Sequence, residues 1–301
     1  EGGTDAAQAV VFKKSVMLKD SSAGIDLYAP EISFDYELNG SALSAAELNY
    51  DASEGQAAGA GIVVKDGATA EGRPSVTLGA ASISFSAEDM IAAEDNTEGS
   101  GLIVKEVSIT AAPGTVAGIY RFRITESTAE GAREKAGLVQ SDGYVSSRYL
   151  DVYVGYANES MDLSVRNVVL FRVDGSSVTK TEGWTSANDL DTYETVDIRI
   201  TKTVTGTLAD RTHYFPFAFE LSDPQNGSKY SYKAGRADMV SGAQFAEAVN
   251  GSYGSAAVLK HGESITIYGV PKNTAQKCTL SVSEKNDTVD IYWYKTAGFK
   301  E

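Results

Sequence analysis

Two stretches of this chain carry the same pattern in the same order, and that constrains the fold more than any other feature. The first copy runs Phe12-Lys13-Lys14-Ser15-Val16, then Ile32-Ser33-Phe34-Asp35-Tyr36, then Gly118-Ile119-Tyr120-Arg121-Phe122-Arg123-Ile124-Thr125-Glu126. The second runs Ile200-Thr201-Lys202-Thr203-Val204, then Phe215-Pro216-Phe217-Ala218-Phe219, then Leu280-Ser281-Val282-Ser283-Glu284. In each, a lysine sits in an early run of alternating apolar residues and a glutamate closes a later one. A repeat of this length, built on a period of two, predicts two similar β-sheet units in tandem, each with its own core.

The alternating runs are rich in Val, Ile, Thr, Tyr and Phe and read as strands of sheets with one wet face. They cover 10–18, 32–38, 75–85, 102–109, 119–124, 149–154, 165–173, 196–204, 214–221, 264–268, 279–282 and 289–294. Asn39-Gly40, Asp142-Gly143, Asn226-Gly227 and Asn250-Gly251 are turn dipeptides between them. Only 87–95, 128–137 and 243–249 carry helical patterning. The Gly/Ala-rich stretch 55–61 reads as a loop, since no helix-forming run or basic residue follows to make it a dinucleotide site. One strand is expected to end and another to begin near Tyr193 to Thr195, with no Pro- or Ser-rich linker. This divides the chain into an all-β unit over 1–194 and a second over 195–301, stiffly joined and elongated.

Composition excludes several functions. A net charge of −15 over 301 residues repels nucleic acid and anionic membrane surfaces. No run reaches the ~20 apolar residues of a membrane span. The one cysteine, Cys278, cannot form an internal disulfide and reads as a small buried hydrophobe. Two histidines, His213 and His261, leave little scope for histidine catalysis or zinc, and no cofactor is expected. Trp184 and Trp293 read as packing residues. Asp20, Asp26, Asp35 and Glu37 lack calcium-loop spacing and read as a solvated face.

The repeated lysine and glutamate could carry chemistry if both point inward. Burial lowers a lysine's pKa and frees a nucleophilic amine, while a buried glutamate keeps its proton and can polarise a neighbouring carbonyl. With a side-chain carboxyl or carboxamide beside them, an amide can form with loss of water or ammonia. Contact in a dry core supplies much of the drive. Lys13 and Lys14 are adjacent, so alternation sends one inward and one outward, and the pattern does not say which.

The order lysine, aromatic strand, glutamate resembles the isopeptide domains of sortase-assembled pilins of Gram-positive bacteria, the streptococcal-type major pilin family. The resemblance implies tandem immunoglobulin-like or Cna-like β-sandwiches, with Glu126 and Glu284 assisting bond formation at Lys14 and Lys202. It also implies a reactive Asn shortly before the second lysine strand. Aligned on Lys202-Thr203-Val204-Thr205-Gly206, that position is Asp191, which would release water; Asn188 is the rival if the loop carries an insertion. Seventeen residues follow Glu284. None offers the Asn-bearing strand, so the second unit is expected to lack its last strand and its bond. Lys202 is then expected to pair with Glu284, and Asn286 to turn away.

The implied function is that of a shaft subunit in a covalent, cell-wall-anchored surface pilus. Its partners would be other subunits joined through sortase, with Lys180 as the exposed acceptor. An adhesin or accessory pilin with a host ligand is the alternative, for which 39–72 is the only sizeable insert. A glycosidase ranks last, because no pair of carboxylates stands out by spacing.

Overall fold

The structure, a computed structural model, describes residues 7–51, 56–57, 63–157, 161–222, 231–235, 246–248, 252–272 and 279–284. The architecture is all-β. The first long strand, Gln8–Lys19, alternates Phe12, Lys14, Val16 and Leu18 into the core, while Val11 and Lys19 face solvent. Lys14 is therefore the inward lysine of the adjacent pair.

Gln8–Lys19 lies inside its sheet. Ser100–Ala112 runs antiparallel on one side, with Lys14 opposite Lys105. On the other side two later segments run parallel to it: Gly183–Trp184, with Trp184 opposite Lys14, then Asp191–Thr201, with Asp191 opposite Val16. The facing sheet is ordered Ser177–Lys180, Leu163–Asp174, Ser147–Tyr156, Gly118–Ser127, Ile32–Leu38, Ser82–Phe85. Phe12, Val16, Leu18 and Ile109 of the first sheet meet Phe34, Tyr36, Tyr120, Phe122, Ile124 and Leu150 of the second, making a sandwich core. Trp184 sits at its centre, 5.7 Å from Phe12 and 5.3 Å from Tyr36 by ring centroid. Gly183 lets this segment lie against the first strand, because a Cβ there would come within 2.3 Å of the Lys13 carbonyl oxygen.

Some local expectations are corrected. The run 75–85 is two strands in different sheets: Ser75–Leu78 pairs with Ser100–Ala112, and Ser82–Phe85 pairs with Ile32–Leu38. Gly79 and Ala81 make the crossing, since Gly79 N–H donates to Ser108 O and Ala81 O accepts from Tyr36 N–H. The run 87–95 is not helical. Ser86 N–H donates to the Asp89 carboxylate and Glu88 N–H to the Ser86 hydroxyl, local bonds that compete with helix, while Ala93 N–H donates to the distant Asp26 carboxylate. Within 128–137 the helix is the single turn Ala132–Lys135. Ala246–Ala248, within the third helical prediction, is a strand paired with Ser252–Leu259.

The outer face of the second sheet carries a smaller cluster of Leu43, Tyr149, Phe171 and Val178. Part of the 39–72 segment folds over it through the short helix Ala45–Leu48. Arg121 is fully buried beneath; it makes a two-pronged pair with Asp151 at 2.7 Å and donates to the carbonyls of Glu47 and Tyr50.

Asp191–Thr201 is one continuous strand, where the sequence suggested an end and a restart. It contains no Gly, Pro or Asn to break it. Its first part pairs with Gln8–Lys19 and its later part with Ser264–Pro271, with a register shift between Val196 and Ile198. At this shift the Asp197 carboxylate accepts from the hydroxyls of Ser21 and Ser22. Beyond it, Ile198 and Ile200 join Phe215, Phe217, Leu259, Ile265 and Ile267 in a separate core.

Candidate functional site

The parallel pairing with the first strand decides where Asp191 points. Asp191 lies opposite Val16, and Val16 shares its face with Lys14, so both side chains enter the core as diagonal neighbours. Glu126 arrives from the facing sheet. In Gly118–Ser127 the residues Tyr120, Phe122, Ile124 and Glu126 alternate inward, and Glu126 lies opposite Tyr36. Sheet geometry thus brings three residues distant in sequence to one point.

All three are buried, with side chains 0% exposed. Lys14 Nζ donates to Asp191 Oδ2 at 2.6 Å and lies 3.2 Å and 3.1 Å from Glu126 Oε1 and Oε2. It also donates to the Tyr144 hydroxyl at 2.8 Å and stands 4.1 Å above the Phe34 ring. Glu126 is gripped from both sides: Tyr36 donates to Oε2 at 3.0 Å and Tyr144 to Oε1. Burial pushes both phenols well above the ordinary tyrosine range, and the neighbouring Glu126 adds to this, so both remain donors.

Arg133 closes the cluster from the turn Ala132–Lys135. Its Nε donates to Asp191 Oδ1 at 2.8 Å and its Nη2 to Glu126 Oε1 at 2.6 Å. Burial pulls against its charge, but Asp191, Tyr144 and Glu126 together outweigh this and hold the guanidinium above its ordinary value.

Sequence reading missed Arg133 and Tyr144. Arg133 lies in 128–137, whose helical patterning gave no reason to turn an arginine inward, and Tyr144 follows the Asp142-Gly143 turn. Asn188 is exposed, on the single-turn helix Ala187–Asp189, and is not brought to Lys14. Its neighbour Asp189 is the buried one, paired with Arg148 at 2.8 Å and Arg172 at 3.2 Å. These pairs pin the loop that returns the chain to the first strand at Asp191.

Part of this arrangement recurs around Lys202. Lys202 Nζ stands 4.0 Å from the Phe215 ring centre and donates to Glu284 Oε2 at 2.9 Å. Glu284 lies opposite Phe217, as Glu126 lies opposite Tyr36. In both places the lysine covers the first aromatic residue of the aromatic strand and the glutamate faces the second. Asn286, Cys278 and Trp293 lie outside the described residues. Lys180 is exposed at the end of Ser177–Lys180, the edge strand of its sheet. Among the described residues no group of three or more His, Cys, Asp or Glu side chains could hold a metal, and no helix is long and apolar enough to cross a membrane.

Residues 196–300 match a family described as a domain of unknown function (DUF7601). No curated protein matches the chain. Among solved structures, the major pilin from Streptococcus pyogenes is similar at 15% identity and a TM-score of 0.43, over 91% of this chain and 82% of that one. A second major pilin from Streptococcus pyogenes, T-13, is similar at 15% identity and 0.41, over 93% and 84%. A pilus-presented adhesin is similar at 22% identity and 0.23, over 42% of this chain and 31% of its own.

Proposed function

We propose that this chain is a structural subunit of a covalent surface pilus and that its first unit closes on itself through an amide between Lys14 and Asp191. The observation that carries the reading is the buried contact of Lys14, Glu126 and Asp191, at 2.6 Å between amine and carboxylate. A buried ion pair recovers poorly the hydration its two charges lose. Converting it to a neutral amide removes both charges.

The reaction balances without a co-reactant. Lys14 enters as an ammonium and Asp191 as a carboxylate. Glu126, in contact with the ammonium, takes one proton, and the freed amine adds to Asp191 Cγ. The N–Cγ bond forms, one Cγ–O bond breaks, and the departing oxygen leaves as water with two of the three ammonium protons. Glu126 acts as the relay and is regenerated. Held reactants in a dry site replace an activating agent.

The bond would tie the first strand of the unit to the strand that leads into the second. Tension entering along one is then passed to the other without loading the hydrogen bonds that pair them, as a fibre shaft requires. We read 1–194 and 195–301 as the two units of this shaft, and the exposed Lys180 as the acceptor for the next subunit. A host ligand at 39–72 is the competing use. The test is the intact mass of the purified protein against that of Lys14→Ala. One water is missing from the former and none from the latter; full calculated mass in both would overturn the reading.

A further inference from the structure

One guanidinium touches both carboxylates of the buried cluster. Arg133 Nε holds Asp191 Oδ1 at 2.8 Å, Nη2 holds Glu126 Oε1 at 2.6 Å, and Nη1 is steadied by the Thr128 hydroxyl at 3.1 Å. The Lys14 amine lies on the other oxygen of Asp191, Oδ2, at 2.6 Å. The two oxygens of the reacting carboxylate therefore have different surroundings: one faces the nucleophile and the other a fixed cationic donor.

We propose that Arg133 is a catalytic residue of the Lys14–Asp191 amide formation, holding Oδ1 as the retained oxygen and stabilising the charge that builds there. The inference rests on the amide reading above. As the amine adds to Cγ, the carbonyl electron pair moves onto Oδ1, where a preorganised donor in a water-poor site is most effective. Oδ2 receives the protons relayed by Glu126 and departs as water, and the electron pair on Oδ1 returns to form the amide carbonyl.

The charge inventory supports the same role. Before reaction two cations, Lys14 and Arg133, face two anions, Glu126 and Asp191. Reaction consumes one of each. Arg133 is left as the partner of Glu126, whose buried carboxylate otherwise loses its only ammonium. The guanidinium suits this role because its planar fork holds both donors in fixed directions, whereas an ammonium on a flexible stem would fix neither oxygen in place.

The experiment follows intact mass over time in protein made by cell-free synthesis, for wild type, Arg133→Gln and Arg133→Lys. Wild type loses one water. Arg133→Gln is expected to lose it about 100-fold more slowly, the usual cost of removing one oxyanion donor. Arg133→Lys, which keeps charge and bulk without the fork, is expected to be slowed at least about tenfold on the same ground. Native-like amide exchange protection at Leu150 and Trp184 shows that a slow variant is folded. If Arg133→Gln loses that protection, the lysine variant decides. Bond formation at the wild-type rate in Arg133→Lys, or in a folded Arg133→Gln, overturns the role of Arg133 and leaves the amide reading standing. A wild-type chain that keeps its full mass overturns the amide reading itself, and this inference with it.

Discussion

Replacing Glu126 by glutamine keeps the side chain's shape and removes its ability to take a proton. Lys14 and Asp191 are 177 residues apart. In the chain-entropy picture a cross-link closing a loop of that size is worth about 5 kcal/mol, at the top of the usual ~2–5 kcal/mol range. A unit of ~150–250 residues shifts its melting temperature by about 2–4 °C per kcal/mol. Loss of the bond should therefore lower the melting point of the first unit by about 10–20 °C. Glutamine also leaves Lys14 and Arg133 facing one fewer anion, so Lys14→Met, which abolishes the bond by a different route, is the companion variant. Calorimetry with intact mass on each sample reads both effects. Full calculated mass and a drop of this size in both variants are expected. If Glu126→Gln still loses water, Glu126 is not the relay. If it keeps its full mass yet melts within about 2 °C of wild type, the bond does not bear on stability as argued.

Three further outcomes follow from the same geometry. In Asp191→Asn the carboxamide should react with release of ammonia, and the mature protein should weigh the same as mature wild type; an unreacted chain would show that the carboxylate itself is required. Burial works to raise the Glu47 carboxyl, but hydrogen bonds from the Ser44 backbone and hydroxyl, Tyr149 and Arg123 outweigh it and bring it from 4.5 down to about 2. Its stabilising share is thus present above its unfolded pKa and lost as pH falls from about 4.5 towards 2, so exchange protection around Ala45–Leu48 should fade over that window. Glu47→Gln should remove the pH dependence, and unchanged dependence would place its origin elsewhere. Lys180→Ala should abolish the ladder of covalent multimers in boiled cell-wall extracts, whereas a persisting ladder would exclude Lys180 as the acceptor.

Much of the fold was legible because sandwich strands with one wet face must alternate. Lys14 and Glu126 could be placed on alternating runs, although the pattern alone did not say that Lys14, and not Lys13, turns inward. Pairing partners settle that point, and they depend on contacts between residues far apart in the chain. The break at Gly79 to Ala81 was invisible for the same reason: Ser75–Leu78 and Ser82–Phe85 alternate alike, and only their different sheets reveal the crossing. Arg133 and Tyr144 were hidden in the connection after Glu126, where a short helical pattern and a turn do not say which polar side chain is buried, because burial there is set by what the connection lands on. Asp189 shows the converse limit, since its two arginine partners are remote in sequence and fix a loop that reads as ordinary polar surface.

The account is tested most directly by peptide mapping of the native protein. Tryptic digestion followed by tandem mass spectrometry should yield one branched species joining the peptide that contains Lys14 to the peptide that contains Asp191, lighter by one water than their sum. Recovery of both as separate, unmodified linear peptides, with no branched form, would contradict the central claim.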